Sequence, residues 1–255
     1  MKLDGSIAAV VTGGASGLGA GTAKLLAERG VKVTLFDMNA EAGNAIAADI
    51  GGHFVTVDVT DDASVEAGFA AARQRHGQER ILVNCAGIAP AAKTVSRGDH
   101  HPFALFAKVI DVNLVGTFRC AAAAALGMSV EAPVTEDGEK GVIINTASVA
   151  AYDGQIGQVA YAASKGGVAG LTLPLARDLA QHGVRVCTIA PGIFETPMLI
   201  GLGEKVMTSL GQQVPFPQRL GRPHEYAMLA CAIAENPLLN GEVIRLDGAI
   251  RMAPR

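Results

Sequence analysis

The chain has 255 residues, of which 49% are hydrophobic and 18% charged, and its formal net charge is −3. This size and composition suit one large α/β domain with an ample core. No run of lysine or arginine is present, so the charge does not indicate a surface for nucleic acid or anionic membrane. The four cysteines form no CxxC pair and the six histidines show no metal-ligand spacing, so we predict neither a disulfide framework nor a metal site.

An uncharged stretch near the N-terminus, Gly5–Ala23, is a candidate for a signal peptide or a membrane segment. Its apolar part, Ile7–Val11, is short, and six glycines interrupt the stretch. A secretory or membrane-spanning segment needs a longer continuous apolar run. We therefore expect a cytoplasmic protein that binds no membrane, and a mitochondrial one only if a presequence is missing from this chain.

Short apolar runs rich in β-branched residues alternate with longer alanine-rich segments. The predicted elements, in chain order, are strand Ser6–Thr12, helix Gly17–Arg29, strand Val31–Asp37, helix Ala40–Ala48, strand His53–Val59, helix Asp62–Arg75, strand Arg80–Cys85, helix Phe103–Leu126, strand Gly141–Ser148, helix Gly157–Gln181, strand Val184–Ala190 and strand Glu242–Gly248. Pro174 is expected to kink or end the last helix, because proline lacks an N–H. Continuous apolar strands separated by helices are typical of a parallel sheet covered on both faces. The pattern shows no linker and no repeat, so we predict one doubly wound α/β domain over residues 1–255.

Three stretches interrupt this alternation. Ala91–Pro102 and Met128–Lys140 are polar, and we predict that both are surface excursions. The third, Ile193–Pro223, follows the C-terminal end of a strand, where a substrate lid would lie. Its apolar residues favour a substrate-covering segment over a plain loop; they are Met198, Leu199, Ile200, Leu202, Val206, Met207 and Leu210.

A glycine-rich loop, TGGASGLG, joins the first predicted strand to the first helix at Thr12–Gly19. Glycine allows a tight turn and a close approach of backbone N–H groups to a pyrophosphate, and the helix N-terminus adds positive charge that faces the anion. A glycine triplet alone is a weak signal, but its position in the first βα turn makes it a strong one. The residues predicted to contact a dinucleotide here are Gly13, Ser16, Gly17, Leu18 and Gly19.

Asp37 ends the second predicted strand, 18 residues after Gly19. A carboxylate at this point accepts hydrogen bonds from the adenosine ribose hydroxyls and repels a 2′-phosphate. No arginine or lysine lies among residues 14–18 or 38–40 to bind such a phosphate, so we predict NAD rather than NADP. The same carboxylate can also cap the next helix. Two further strand ends are expected to line the adenine and ribose, with Asp58, Val59, Asn84, Cys85, Ala86 and Gly87.

Tyr161 and Lys165 stand four residues apart in a helix of small residues, so both side chains lie on one helical face. A phenol titrates near pH ~10, and a nearby cation favours the phenolate by about 1.4 kcal/mol per pKa unit, which makes tyrosine a usable general base. Ser148, 13 residues upstream, can orient a substrate oxygen that the tyrosine also contacts. Such a pair can instead form an ordinary amphipathic surface, but this helix has hardly any polar residues that would complete one.

Six ordered motifs, TGGASGLG, NCAG, VNLVGTF, NTASVAA, YAASK and PGIFET, resemble the short-chain dehydrogenase/reductase family over essentially the full chain. The resemblance implies a single Rossmann-type domain with a seven-stranded parallel sheet and helices on both faces. It implies that Tyr161 is the acid/base, that Lys165 lowers its pKa and binds ribose, and that Ser148 stabilises the substrate oxygen. It also implies that Asn113 holds the water of a proton relay. The residues implied at the nicotinamide end are Pro191, Gly192, Phe194 and Thr196.

Four stretches, NCAGIAPAAKT, GVIINTASVAA, QVPFPQRLG and NGEVIRLDGAIRM, resemble one group within this family, the type-2 3-hydroxyacyl-CoA dehydrogenases, also described as 17β-hydroxysteroid dehydrogenases of type 10. This resemblance implies NAD-dependent oxidation of (S)-3-hydroxyacyl-CoA to 3-oxoacyl-CoA, in fatty-acid or branched-chain amino-acid breakdown. It also implies that Gln155 lines the substrate pocket and that the protein is a homotetramer. Cys85 replaces the second asparagine of the usual NNAG, a position that acts largely through its backbone, so we expect cofactor binding to survive.

Two other functions remain open. A hydroxysteroid dehydrogenase would use the same catalytic residues and differ only in the shape of its pocket. A dinucleotide-binding scaffold without catalysis would have no need for the complete set of Ser148, Tyr161 and Lys165. Several basic residues could meet CoA phosphates, although basic residues on loops are usually solvated; they are Lys93, Arg97, Lys205, Arg219 and Arg222.

Overall fold

Seven parallel strands form one sheet in the computed structural model, within the residues that it describes, 1–200 and 203–254. At residues 198, 200 and 204–206 it describes the backbone alone. The strands, with β5 and β6 forming a separate antiparallel hairpin, are β1 Ala8–Thr12, β2 Lys32–Asp37, β3 His53–Thr56, β4 Ile81–Asn84, β5 Val95–Ser96, β6 Asp99–His100, β7 Gly141–Thr146, β8 Val184–Pro191 and β9 Val243–Leu246. The order across the sheet, β3-β2-β1-β4-β7-β8-β9, confirms the predicted doubly wound, Rossmann-type fold.

Helices cover both faces of this sheet. They are α1 Gly17–Glu28, α2 Ala40–Ile50, α3 Asp62–His76, α4 Phe103–Ile110, α5 Gly116–Ser129, α6 Val159–Ala180, α7 Pro197–Ile200, α8 Glu204–Gln212 and α9 Pro223–Glu235. On one face α1 and α9 bury apolar side chains such as Leu26 and Ile233. On the other face α3 and α5 bury Phe69 and Met128. Because both faces are packed, the strands need continuous apolar sequence, which is the pattern from which they were predicted.

The chain turns in opposite directions from β1 and from its neighbour β4, so a crevice opens beyond the carboxyl ends of these two strands. The loops that follow them approach each other closely. Gly13, directly after β1, has a φ of +64°, and a Cβ atom there would lie 2.8 Å from the backbone nitrogen of Ala86. Glycine at this position therefore satisfies both an unusual backbone angle and a lack of space.

Strand β3 ends at Thr56, three residues before its predicted end at Val59. Thr56 pairs with Asp37, which is the last residue of β2. The ladder therefore stops where β2 stops, although the sequence continues with a β-branched apolar pattern. The length of β3 therefore depends on where β2 ends, and the sequence of β3 alone does not give that position.

The predicted helix Phe103–Leu126 is divided into α4 and α5 by a π-helical turn, Asp111–Val115. By length and composition the whole segment Phe103–Ser129 is apolar enough to span a membrane. In the fold, however, its buried face packs into the core through residues such as Cys120 and Ala124. Pro174 does not end α6, which continues to Ala180.

Helix α9 was not predicted, although its sequence carries the signals of a helix start. Pro223 stands at the first helical position, and the Glu225 carboxylate accepts a hydrogen bond from the backbone nitrogen of Arg222 at 2.8 Å. A proline followed two residues later by an acidic residue and then by an apolar run is typical of a helix N-terminus. Tyr226 of this helix is completely buried.

The first polar stretch lies at the surface as predicted, whereas parts of the second are buried. The first contains the hairpin of β5 and β6. At the start of the second, Met128 belongs to α5 and is fully buried. Near its end, the carboxylate of Glu139 is buried and accepts a hydrogen bond from the guanidinium of Arg185 at 2.7 Å. A buried ion pair requires mutual hydrogen bonding to offset desolvation, so this part of the stretch belongs to the interior.

Candidate active site

A cavity of about 1400 Å³ opens at the carboxyl ends of the sheet strands. Most of the predicted site residues contribute to its wall. They are Gly13, Ser16, Gly17, Leu18, Gly19, Asp37, Asp58, Val59, Cys85, Ala86, Gly87, Ser148, Gln155, Tyr161, Lys165, Pro191, Gly192, Phe194 and Thr196. One continuous space therefore joins the glycine-rich loop to the pair Tyr161 and Lys165.

The glycine-rich loop is packed too closely for side chains at its first and last glycines. A Cβ atom on Gly19 would overlap the backbone carbonyl of Gly13. Ser16 precedes α1 in an extended conformation and does not cap the helix with its side chain. The first turn of α1 lines the cavity through Gly17, Leu18 and Gly19, and no side-chain oxygen of Ser16 caps it, which is an arrangement that suits a pyrophosphate.

Of the two roles that its position suggests, Asp37 does not fulfil one, because it does not cap α2. Its carboxylate accepts hydrogen bonds from the backbone nitrogens of Ala15, at 3.1 Å, and of Asn39, at 3.0 Å. The cap of α2 itself is provided by Asn39, whose side chain accepts a hydrogen bond from Ala42. Asp37 thus ties the glycine-rich loop to the end of β2 and places a fixed negative charge in the cavity wall.

The three predicted catalytic side chains in the wall come from two elements. Ser148 follows β7, and its hydroxyl oxygen accepts a hydrogen bond from the Ala150 nitrogen at 3.1 Å. Tyr161 and Lys165 lie in α6, with the lysine Nζ 5.8 Å from the centre of the tyrosine ring. The Lys165 ammonium is almost completely buried and donates a hydrogen bond to the Thr146 carbonyl at 2.7 Å.

Burial changes the acidity of both helix side chains. It raises the pKa of the Tyr161 phenol, and the Ser148 hydroxyl acts in the opposite direction. Burial also lowers the pKa of Lys165 from 10.5 to about 8. In the protein chain by itself the lysine thus loses its proton before the tyrosine does. The predicted pair of a Tyr161 phenolate and a Lys165 ammonium therefore requires further positive charge or hydrogen bonding from a bound ligand.

Asn113 lies behind the cavity wall and is completely buried. Its carboxamide accepts a hydrogen bond from the Ile88 nitrogen at 2.8 Å and donates to the Ile88 carbonyl at 2.9 Å and the Ser164 hydroxyl at 3.0 Å. Its backbone carbonyl accepts a hydrogen bond from the Thr117 hydroxyl. The side chain of Asn113 therefore positions the loop after β4 against α6. Each carbonyl oxygen of Asn113, in the side chain and in the backbone, already accepts one hydrogen bond, so a relay water would have to use a second lone pair on one of them.

Asn84 is also buried behind the wall. Its side chain donates a hydrogen bond to the Asn145 side chain at 3.0 Å, and its backbone carbonyl accepts one from the Thr146 hydroxyl at 2.5 Å. The same threonine hydroxyl lies 2.7 Å from the Tyr226 hydroxyl. Cys85 joins this layer, since its sulfur lies 3.8 Å from the Tyr226 oxygen. Burial raises the pKa of the Cys85 thiol, so it remains protonated at neutral pH.

Several residues of the cavity wall were not identified from the sequence. Some lie in α4, where Lys108 also helps to lower the pKa of Asp58 after the larger effect of the Thr60 hydrogen bonds. Another is the apolar residue Met252, in the segment that follows β9. Charge and motif spacing give no signal for these positions, because their role depends on the folded arrangement.

The predicted substrate-covering segment, Ile193–Pro223, contains α7 and α8, and Leu199 and Leu210 contribute to the cavity wall. The prediction also included Leu202, which lies outside the described residues. The side chains of Met198, Ile200, Lys205 and Val206 also lie outside the described part of the chain.

The basic residues suggested for CoA phosphates differ in their surroundings. The guanidinium of Arg219 is bound by both oxygens of Glu225, at 2.7 and 2.8 Å, so its charge is already compensated. Arg97 lies in the turn of the hairpin with a φ of 54° and is exposed. Lys93 lines a smaller cavity of about 400 Å³, which shares Gln155 with the main one. Lys93 therefore lies beside the same cavity wall as Gln155, the predicted substrate residue.

The described residues contain no group of three or more His, Cys, Asp or Glu that could hold a metal ion. All four cysteines are free thiols, and three of them are buried.

Comparison with known proteins gives consistent matches. The model of the short chain dehydrogenase family matches residues 7–206. The chain is 54% identical over 249 residues to 3-hydroxyacyl-CoA dehydrogenase type-2 of Drosophila melanogaster, covering 96% of this chain and 97% of that protein. It is 53% identical over 252 residues to the Homo sapiens protein of the same name, covering 97% and 96%. The crystal structure of 3-hydroxyacyl-CoA dehydrogenase type-2 from Mycobacterium avium superposes with a TM-score of 0.94 at 42% identity, with both chains covered completely.

The burial of Lys165 leads to a prediction of how the free energy of unfolding depends on pH. Its pKa is about 8 in the folded chain and 10.5 in the unfolded chain, so the unfolded state binds more protons between these two values and stability rises with pH there. We expect the wild-type free energy of unfolding to gain about 3 kcal/mol over Lys165→Met between pH 8 and pH 10.5. Chemical denaturation of both proteins without nicotinamide coenzyme measures this difference.

Tyr161 titrates in both proteins, so its opposite contribution at high pH cancels in the comparison. Lys24→Met serves as a matched control, since the Lys24 side chain is 45% exposed and pairs with Asp49 at the surface. Its curve should stay parallel to that of the wild type. Parallel curves for Lys165→Met as well would show that burial does not depress the pKa of Lys165.

Proposed function

The chain belongs to the short-chain dehydrogenase family and is an oxidoreductase, and we propose that it catalyses the NAD-dependent oxidation of (S)-3-hydroxyacyl-CoA to 3-oxoacyl-CoA. The observation that carries the proposal is the single cavity that contains Ser148, Tyr161 and Lys165 at one end and the glycine-rich loop at the other. The substrate class comes from the relatives, which are named 3-hydroxyacyl-CoA dehydrogenase type-2 and match nearly the full chain.

The residues of the chain divide the reaction among them. The Tyr161 phenolate removes the proton of the substrate hydroxyl, and the Ser148 hydroxyl donates a hydrogen bond to the same oxygen. Lys165 provides the positive charge that favours the phenolate, and its ammonium releases one proton toward solvent as it takes up the proton of the phenol. Asn113 supports this relay by holding the neighbouring loop at Ile88.

The cavity has the features that a nicotinamide dinucleotide requires. The uncapped N-terminus of α1 suits the pyrophosphate, and the space made by Gly13 and Gly19 lets the backbone approach it. When bound, oxidised nicotinamide supplies the hydride acceptor and a positive charge. Phe194 and Thr196 follow β8, whereas Asp37 ends β2, and these two strands lie on opposite sides of the crevice at β1 and β4, as a dinucleotide that spans the crevice would need.

We propose NAD rather than NADP as the coenzyme. The Asp37 carboxylate is fixed by the backbone nitrogens of Ala15 and Asn39, so it cannot easily turn away from a ribose at the end of β2. A 2′-phosphate at this point would place two negative charges in contact, whereas the ribose hydroxyls would donate hydrogen bonds to the carboxylate.

We also propose that the protein is a homotetramer. Apolar side chains are exposed along α5 and α6, among them Phe118, Leu126 and Leu173, which are 51%, 73% and 45% exposed. Large exposed apolar groups on neighbouring helices favour an interface between copies. Light scattering should give a mass of four 26.1-kDa chains; a monomer mass would overturn the proposal.

NADH formation with 3-hydroxyacyl-CoAs and with hydroxysteroids, measured side by side, tests the proposed substrate class. We expect the higher kcat/KM with (S)-3-hydroxyacyl-CoA. Tyr161→Phe should retain NAD binding but lose about a hundredfold or more in kcat, because it lacks the proton acceptor. Turnover of steroids alone would identify a hydroxysteroid dehydrogenase, and tight NAD binding without turnover of any secondary alcohol would indicate a binding scaffold.

Removing the charge of Asp37 tests the coenzyme proposal. Asp37→Asn should raise the ratio of kcat/KM with NADP to that with NAD by about tenfold or more, because a charge-assisted hydrogen bond is lost and a repulsion is relieved. The ratio is measured with one alcohol substrate at constant ionic strength.

Asp58→Asn is the matched control, since Asp58 is a second carboxylate in the same cavity wall. Its substitution removes the same charge at another strand end and should leave the coenzyme ratio unchanged. If the two variants shift the ratio equally, the discrimination comes from overall charge in the cavity and the assignment to Asp37 is wrong.

A further inference from the structure

The last described residues of the chain return to the candidate active site. After β9 the chain turns at Gly248 and Ala249, both with positive φ, of 59° and 68°. Asp247 holds this turn, because its carboxylate accepts a hydrogen bond from the Ala249 nitrogen at 3.0 Å. The segment Ile250–Pro254, called here the C-terminal tail, then runs along the loop that follows Ser148.

Two hydrogen bonds fix the C-terminal tail to that loop. The Gln155 side chain donates to the Ala253 carbonyl at 3.0 Å, and the Ile156 nitrogen donates to the Pro254 carbonyl at 3.1 Å. Gln155 itself lines the main cavity. The tail therefore contacts the same loop that carries the predicted substrate residues.

A cluster of charged side chains holds the base of the tail. The Arg245 guanidinium donates to Asp153 at 2.6 Å, to Asp247 at 2.8 Å and to the Ile250 carbonyl at 3.1 Å. It also lies over the Tyr152 ring, 5.4 Å from its centre. The hydrogen bond from Arg245 holds the pKa of Asp153 below its ordinary value, and the backbone of Met252 contributes a smaller effect in the same direction.

The turn before the tail is also packed against the end of the substrate-covering segment. A Cβ atom on Gly248 would lie 2.5 Å from a methyl carbon of Val214, and the Phe216 nitrogen donates to the Gly248 carbonyl at 3.2 Å. The covering segment thus contacts the turn that precedes the tail, and the Gln155 loop binds the tail itself.

Within this tail, Met252 is half-buried and lines the main cavity. Leu199 and Leu210 of the covering segment line the same cavity, as does Gln155. We infer that Met252 is a specificity-determining residue, which forms the end wall of the acyl site and limits the length of the acyl chain. The inference rests on the proposed oxidation of 3-hydroxyacyl-CoA.

An apolar end wall acts on a substrate mainly through space and contact area. A methionine side chain that blocks the path of the acyl chain excludes longer chains, and its removal opens volume that further methylene groups can occupy. The reacting hydroxyl remains with Ser148 and Tyr161, so the chemical step of a short substrate does not depend on this wall. Selectivity between chain lengths is therefore the property that Met252 should change.

The test compares kcat/KM for 3-hydroxydecanoyl-CoA with that for 3-hydroxybutyryl-CoA. We expect Met252→Ala to raise this ratio by about tenfold, and Met252→Phe to lower it by a similar factor. Because the ratio compares two substrates of the same variant, a general loss of activity cancels in it. A ratio that stays at the wild-type value in both variants overturns the inference.

Met38→Ala is the matched control, because Met38 lines the same cavity beside Asp37. It should alter the KM for NAD and leave the chain-length ratio unchanged. The wild type is measured first with 3-hydroxybutyryl-CoA. No NADH formation there overturns the proposed function, whereas wild-type turnover with unresponsive Met252 variants overturns only the role of Met252.

Arg245 is a positioning residue in this scheme, and its substitution provides a second test. Arg245→Met removes the contacts to Asp153, Asp247 and Ile250, so the tail should loosen and the chain-length ratio should rise as in Met252→Ala. Arg251→Met is its control, since Arg251 also binds Asp247 but is 63% exposed. Loss of stability in Arg245→Met without a change in the ratio would show that Arg245 has a structural role only.

Discussion

A lysine ammonium almost without contact to water is the constraint on which the candidate site depends. On folding, Lys165 exchanges its hydration for a cavity wall in which the Thr146 carbonyl accepts its hydrogen bond at 2.7 Å. Such an exchange disfavours the charged form, as the lowered pKa shows. In the proposed mechanism the phenol of Tyr161 acts as a base beside this positive charge. Burial of the lysine therefore reduces the stability of the fold at the place where that mechanism uses a poorly solvated cation.

The layer behind Lys165 explains how the carbonyl that it contacts is held. The Thr146 hydroxyl donates its single proton to the Asn84 carbonyl, so the Tyr226 hydroxyl must be the donor in its contact with Thr146. Tyr226 comes from α9, on the face of the sheet opposite to α5. Cys85 faces this layer through its sulfur, while its backbone nitrogen donates to Thr12. The sulfur of Cys85, which stands in place of the usual asparagine, therefore contacts the buried hydroxyls of Thr146 and Tyr226.

Sequence pattern predicts the parts of this protein that depend on neighbours along the chain. The strands, most of the helices and the glycine-rich loop follow from periodicity and composition, and the i, i+4 spacing places Tyr161 and Lys165 on one face. Periodicity and composition do not predict contacts between segments that are distant in the sequence. The carboxamide of Asn113 binds Ile88 across 25 residues, and the length of β3 depends on β2. Helix α9 is a different case, because Pro223 and Glu225 carried enough information to predict it.

The two ends of the cavity are built in different ways. The coenzyme end consists of strand ends and helix N-termini, whose positions follow from the sheet itself. The substrate end consists of the covering segment, the Gln155 loop and the C-terminal tail, which hydrogen bonds and close contacts hold together. Gly192 joins these two parts, since its nitrogen donates to the Leu246 carbonyl and a Cβ atom there would lie 2.9 Å from Asp247. Segments of this kind can change the accepted substrate while the sheet preserves the chemistry, because function resides in sites that a fold positions.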